Sequence, residues 1–422
     1  MAGYRLELPT IQNWNCHSCS GCCRQHVIQI SDEERQRILE QRWSNDQTIG
    51  PGQPTVVADG GPPWNRHYRL AHQANGDCVF LDENGLCRIH AKFGEQAKPL
   101  ACQIYPYTFH PSGKKVAVSL RFSCPSVVAN RGKPIADQRK EIKKLAQRVV
   151  PERSENNQPP EISPGQRVDW ADFGRFIDAL ETILTPNDAP ITVRLLRALH
   201  WIELVDKARF NSVRGARLGE LLEILCEAAH AETPHEPQVV EPSKLAQMQF
   251  RLLAAQYARK DTAVELVSGW RNRWKLLRAA IRVAVGKGRV PPLQECFRDV
   301  SFSVLEQPFG GLPDHAEELF TRYFRVKIRG IHFCGRAYYG TPLVEGFQSL
   351  ALIFPATLWL ARWLAAGAER SALEDDDVAR ALAIADHHHG FSPAFGRRNF
   401  RTRVRTLARM GEVDNLCAWY SR

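Results

Sequence analysis

The chain has 422 residues, a formal net charge of +10, and a composition that is 44% hydrophobic and 24% charged. That length predicts two or three domains, and burial alone can sustain a core of this size, so the composition excludes a disordered chain or a miniature fold that exists only around an ion. The positive excess favours anionic neighbours without specifying one; solvated faces of Arg-rich helices account for it, and no nucleic-acid partner is expected.

The first residues, Met1 to Leu8, lack the apolar centre of a signal peptide. Residues 346–361 are the most apolar stretch, but they are short for a bilayer span, contain Gln348 and Pro355, and are closed by Arg362. They read as a buried helix, and the chain reads as cytoplasmic with no membrane partner.

Residues 1–150 read as a loop-rich unit with short strands. A strand is expected at 27–30, followed by a helix that Ser31 opens with Glu34 three residues on, the pattern of a capping box. Segments 78–81 and 86–89 flank Asn84-Gly85 and predict a hairpin. A further strand is expected at 114–121 after the turn at 111–113, then a basic helix at 136–149. Residues 151–166, rich in Pro, Glu, Asn and Ser, predict a linker.

From 167 to 422 the pattern is all-α. Asp169 is placed to cap a helix with Phe173, Phe176, Ile177, Leu180 and Leu184 on one face. Further helices are expected at 191–209, 213–231, 243–259, 262–286, 314–329, 343–366, 372–388 and 398–418, with a subdivision near 234–242. The fold class is therefore α+β: a small cysteine-rich loop and strand region followed by a larger helical one.

Twelve cysteines in a reducing compartment argue against disulfides. Eight of them precede residue 125: Cys16, Cys19, Cys22, Cys23, Cys78, Cys87, Cys102 and Cys124. Cys226, Cys296, Cys334 and Cys417 are scattered singly, and at least Cys226, Cys296 and Cys417 read as small core residues. In Cys16-x-x-Cys19-x-x-Cys22-Cys23, three thiolates spaced by two residues can wrap one face of a metal centre, with a fourth ligand arriving from elsewhere. Ferredoxin-type loops hold a cubane 4Fe–4S cluster this way, whereas structural zinc more often uses two Cys pairs. Gly21 is expected to permit the tight backbone. Adjacent Cys22 and Cys23 are expected to point apart, one of them serving a second metal. Eight thiols suffice for two four-ligand sites, or for one cluster plus free thiols. Pro99, Pro106 and Pro125 stiffen the loops beside the distant cysteines. His17 and His90 read as neighbours of the site rather than ligands.

Other motifs read as structural. Three consecutive histidines, His387 to His389, cannot all face one ion from a helix, and are expected to mark a helix end where imidazole suits the dipole. The arginine run from Arg397 to Arg409 reads as a solvated helix face. Trp359 and Trp363, and Tyr338-Tyr339-Gly340, read as core.

The cysteine loop, together with Cys78-Val-Phe-Leu, Cys87-Arg-Ile-His, Lys98-Pro99-Leu-Ala-Cys102, Tyr105-Pro106 and Cys124-Pro, resembles the CxxCxxCC family of zinc- or iron-chelating proteins over about residues 12–126. That family is similar to the flagellin lysine N-methylases, whose longer members join such a region to a helical remainder. The resemblance implies an iron–sulfur cluster, S-adenosylmethionine as methyl donor and a protein lysine as substrate. Cys16, Cys19 and Cys22 would hold the cluster with one distant Cys. This chain departs from radical enzymes using that donor, which show CxxxCxxC; it has no Gly-rich methyltransferase turn, Gly310-Gly311 reading as a loop; and Lys98 stands where many relatives have Arg. The alternative is a non-enzymatic zinc- or iron-binding module whose helices bind a partner protein.

Overall fold

A computed structural model describes residues 4–43, 49–50, 52–62, 64–150, 157–186, 188–210, 212–259 and 270–422. The N-terminal region builds two small sheets. Strands β1 (Arg5–Glu7), β5 (Tyr107–Ser112) and β6 (Lys115–Leu120) form the first, in the order β1-β6-β5. β5 and β6 are an antiparallel hairpin turning at Gly113, with Tyr107 opposite Leu120, and β1 joins β6 in parallel with Leu6 opposite Val116. The second sheet is antiparallel, in the order β2 (Gln29–Ile30), β4 (Tyr68–Leu70), β3 (Val56–Ala58).

The strand expected at 27–30 thus shrinks to two residues, while the one at 114–121 forms as expected. The hairpin expected at 78–89 does not form as two strands. The turn at Gly85 is present, but Leu81 and Cys87 make a single bridge, and Arg88 onward coils into a helix. The apolar run 78–81 is claimed by more distant partners: Cys78 N donates to Cys23 O at 2.8 Å and Val79 N to Ala71 O at 3.0 Å.

Six short helices accompany the sheets: α1 (Gly21–Gln25), α2 (Asp32–Glu40), α3 (Arg88–Phe93), α4 (Leu100–Ile104), α5 (Pro125–Val128) and α6 (Arg139–Val149). Ser31 and Glu34 make the full reciprocal capping box on α2. Twelve further helices follow: α7 (Trp170–Leu184), α8 (Ile191–Lys207), α9 (Gly215–Glu232), α10 (Lys244–Tyr257), α11 (Trp270–Val285), α12 (Phe302–Leu305), α13 (Asp314–Arg329), α14 (Leu343–Ala351), α15 (Ile353–Gly367), α16 (Asp375–His388), α17 (Arg398–Arg409) and α18 (Glu412–Tyr420). The Asp169 side chain caps α7 by accepting from Asp172 N at 2.8 Å, and the five predicted apolar residues of that helix are buried. The helix expected at 343–366 breaks at Leu352, and the one at 398–418 breaks at Gly411, which takes a φ of 66°. Residues 262–269 of one expected helix and 151–156 of the expected linker lie outside the described residues.

Buried apolar residues gather in two clusters. The smaller one lies under the second sheet and includes Ile38, Trp43, Leu70, Phe80 and Cys78. The larger one joins β1, β5 and β6 to the helices. Five of the six β6 residues are buried, because α13 covers this strand. The approach is close at Gly330, where an added Cβ would lie 2.4 Å from Ser119 Cβ. The segment Leu343–Gly367 is long and apolar enough to cross a membrane by composition, yet 89% of its most apolar window is buried within the protein. It packs as the central helical layer, with Trp359 and Trp363 both fully buried.

Arg401 and Arg405 do not merely face solvent; both donate to the carboxylate of Glu345, which is only 8% exposed. The histidines do end α16, but His388 and His389 are buried rather than arrayed for the dipole. Burial holds His389 well below the ordinary imidazole range, and its Nδ1 lies 3.0 Å from the Tyr257 hydroxyl.

Candidate metal centre

The stretch before the cysteine loop is pinned by backbone bonds. Trp14 N donates to Lys133 O and Asn15 N to Arg131 O, so the loop starts from a fixed edge. It then bends through Ser18 and Ser20, both in the left-handed region at φ 52° and 55°. Gly21 is not the bend; it begins α1 with ordinary helical geometry. The strain is therefore carried by two serines that the sequence reading passed over.

α1 carries Cys22 and Cys23 on one turn, their sulfurs 3.9 Å apart. The expectation that they point apart fails because neighbours on a helix are separated by about 100°, not the 180° of a strand. Cys78 is tied to α1 through the Cys23 carbonyl. Cys87 precedes α3 at its cap position, and Cys124 does the same for α5. Cys102 sits within α4, whose first amide, Leu100 N, donates to Glu34 Oε1 at 2.6 Å, so the α2 cap residue also holds α4.

These separate anchors bring all eight N-terminal cysteines to the wall of one cavity of about 510 Å³. Cys226, Cys296, Cys334 and Cys417 take no part in it. Among the described residues, no three Cys, His, Asp or Glu side chains are drawn together tightly enough to hold an ion as they stand. The thiols surround a space rather than touch across it.

Electrostatics divides the eight. Cys22, Cys23, Cys78, Cys87 and Cys102 lie near enough to act on one another. The Cys23 thiol holds Cys22 down at about 7, and Cys23 is itself raised by that same contact and by burial. Burial pushes Cys78 up to about 12, and raises Cys102 well above the ordinary thiol range, with neighbouring sulfurs adding to both. Cys124 belongs to another side, raised by burial and by Cys19. Crowded, desolvated thiols resist joint ionisation, and a cation among them reverses that preference.

His17 and His90 both line the cavity, exposed, with His17 Nδ1 3.2 Å from Ser126 Oγ. Sequence reasoning missed His26 and Arg121, which line the cavity together with Lys98 and Tyr105. His26 is buried, held well below the ordinary imidazole range by burial, and stacks at 4.8 Å on His387 from α16. The Arg121 guanidinium lies 3.6 Å over the Phe391 ring and donates to His387 O. Only Tyr105-Pro106 and Lys98-Pro99 carried a signal for this wall, as motif neighbours of cysteines.

Residues 15–125 match the CxxCxxCC family, whose description is "Putative zinc- or iron-chelating domain". The flagellar biosynthetic protein FliU of Salmonella muenchen is 27% identical over 118 residues, covering 26% of this chain and 69% of that protein. The lysine-N-methylase of Salmonella typhimurium is also 27% identical over 118 residues, but the match covers only 29% of its length. An uncharacterized protein of Methanocaldococcus jannaschii is 30% identical over 126 residues, with 45% of its length covered. No solved structure matches the chain. The cysteine-bearing region of this protein, residues 15–125, is thus similar to the CxxCxxCC family.

Proposed function

We propose that four of the eight cysteines lining the cavity hold an iron–sulfur centre, and that the chain is a lysine-N-methylase-like enzyme acting on a protein substrate. One observation supports the metal reading: all eight N-terminal cysteines, from separate stretches of chain, line a single space of about 510 Å³. A volume in the range of about 300–1,000 Å³ suits a small-molecule site, and exceeds what one tetrahedral ion needs. On this reading Cys16, Cys19 and Cys22 supply three ligands and one distant cysteine the fourth, and the other thiols either stay free or serve a second centre.

An iron–sulfur centre would supply redox chemistry there, tuned by its ligands and its exposure. The residues of this chain supply the rest. Lys98 and Arg121 place positive charge beside the cysteines, and the buried Tyr105 and His26 complete the same wall. S-adenosylmethionine, were it to bind beside the cysteines, would supply an electrophilic methyl group for a neutral lysine amine. The methylase reading draws on the similarity to the Salmonella typhimurium lysine-N-methylase.

The close Cys22–Cys23 pair, with three further thiols nearby, favours a second reading: a tetrahedral zinc site and a structural module. Colour separates the two. Anaerobically purified protein is expected to be brown with broad visible absorption, with iron and sulfide bound. A colourless protein with stoichiometric zinc, whose d shell is full, overturns the iron–sulfur reading.

A further inference from the structure

The wall segment that ends in Cys124 is held by two helices far along the chain. Asp386 on α16 and Lys327 on α13 are both fully buried, with Lys327 Nζ 2.6 Å from Asp386 Oδ1. The second carboxylate oxygen of Asp386 accepts from Phe122 N at 2.5 Å and Ser123 N at 3.2 Å. Lys327 Nζ also donates to Leu120 O at 3.1 Å. Between these anchors, Arg121 donates to His387 O at 3.2 Å. Arg322, one turn earlier on α13, donates to Val127 O at 2.7 Å and Val128 O at 2.6 Å, fixing the end of α5. Every residue from Leu120 to Ser123 is thus gripped by α13 or α16, and Cys124 N bonds back to Arg121 O.

We propose that Lys327 and Asp386 are positioning residues of the cysteine cavity: the pair fixes segment 120–123 so that Arg121 and Cys124 face the other cysteines. The proposal rests on the reading above that cysteines of this cavity hold a metal centre. It gives the helical region a direct role in that centre. A buried ion pair contributes little net stability compared with apolar residues of the same volume, so its value here lies in orientation. The carboxylate offers two acceptors at one point, which no apolar side chain replaces.

The test compares two double variants of the full-length chain. Lys327→Met with Asp386→Leu removes the charges and the acceptor while keeping similar side-chain shapes. Lys327→Gln with Asp386→Asn removes the charges but leaves an oxygen to accept from Phe122 N and Ser123 N. Pulse alkylation with peptide mapping reads each thiol, and metal per chain is measured on the same samples. In the Met/Leu variant, Cys124 is expected to label about tenfold faster than in the unaltered chain, the equivalent of roughly 1.4 kcal/mol of local opening. Cys334 and Cys417, buried in the helical core, are expected to stay protected, metal content is expected to fall, and the Gln/Asn variant is expected to restore slow labelling of Cys124. Unchanged Cys124 labelling in the Met/Leu variant overturns the proposal. So does labelling of Cys334 and Cys417 in step with Cys124 in both variants, which reduces the pair to general support of the core. If the unaltered chain carries no metal, the metal reading fails while the labelling contrast still decides the positioning role.

Discussion

Replacing Asp386 with Ala is a severe test of how the buried pair is arranged. The carboxylate is the counter-ion of Lys327 at 2.6 Å and the acceptor for Phe122 N and Ser123 N. Breaking a buried ion pair by removing one partner costs about 3–5 kcal/mol. Each backbone N–H left without an acceptor adds about 1–3 kcal/mol. These terms share one site and do not add fully, and the lysine has an escape. Burial already lowers its affinity for a proton, and Asp386 is the principal group opposing that. Without the carboxylate, Lys327 sheds its proton and the cost is capped, so we expect a loss of about 4 kcal/mol at neutral pH. The pH dependence has a definite sign. A lysine whose folded pKa lies below its unfolded value of 10.5 leaves the unfolded chain holding the extra proton between the two. Stability therefore rises with pH through that window, by about 1.4 kcal/mol per pH unit. In the variant the window extends further down. Denaturant unfolding of Asp386→Ala and the unaltered chain, at neutral pH and near the upper limit, measures both effects. A loss below about 1 kcal/mol, or a variant whose deficit fails to shrink as pH rises, refutes the arrangement.

Three further outcomes are expected. Cys16→Ala and Cys22→Ala should each abolish metal retention, whereas Cys226→Ala, outside the cavity, should keep it; equal metal content in all three contradicts the site. Glu345→Gln should cost about 1–2 kcal/mol, because the lost partners Arg401 and Arg405 are themselves partly exposed and rehydrate. The two arginines hold the Glu345 carboxyl below its usual value of 4.5 against the effect of burial. Its contribution is thus full above pH 4.5 and disappears as pH falls through the folded value, so a difference from Gln that survives strong acid is the wrong result. Ser31→Ala should cost about 1 kcal/mol as a lost cap, whereas Glu34→Ala also frees Leu100 N and should speed alkylation of Cys102, which thermal melts and thiol mapping together would show.

What the sequence made legible follows the range of the forces involved. The Ser31 box, the Asp169 cap and the apolar face of α7 are local and periodic, and they form as read. The central apolar layer was legible because a segment so poor in charge must leave water, and Gln348, Pro355 and Arg362 pointed to the protein core rather than a bilayer. Long-range competition was not legible. Cys78 and Val79 leave their hairpin for Cys23 and Ala71, residues 55 and 8 positions away by count along the printed sequence. Within the site, the cysteine motif revealed which residues gather but not how they are aimed. Ser18 and Ser20 carry the bend expected of Gly21, and one helical turn swings Cys22 and Cys23 to the same side. Lys327 and Asp386 gave no signal, because a charge within a helical pattern is normally a solvated face. His387 to His389 raise the same difficulty: nothing local says that a helix end will be interior.

The two metal readings demand different surroundings from the same sulfurs. A structural zinc site is closed: four donors meet on one ion and leave no room beside it. Here the cysteines bound a cavity of about 510 Å³, and its wall also carries Lys98, Tyr105 and Arg121, cationic and aromatic groups that a sealed ion does not need. Such a wall would be idle beside a sealed ion. It suits a centre that carries net negative charge and leaves a face free for a second molecule. That the same wall is fixed by fully buried polar groups from α13 and α16 adds weight in the same direction. A detachable zinc module would need no such attachment, whereas a site that must hold a cluster and an organic ligand in register needs a rigid backing.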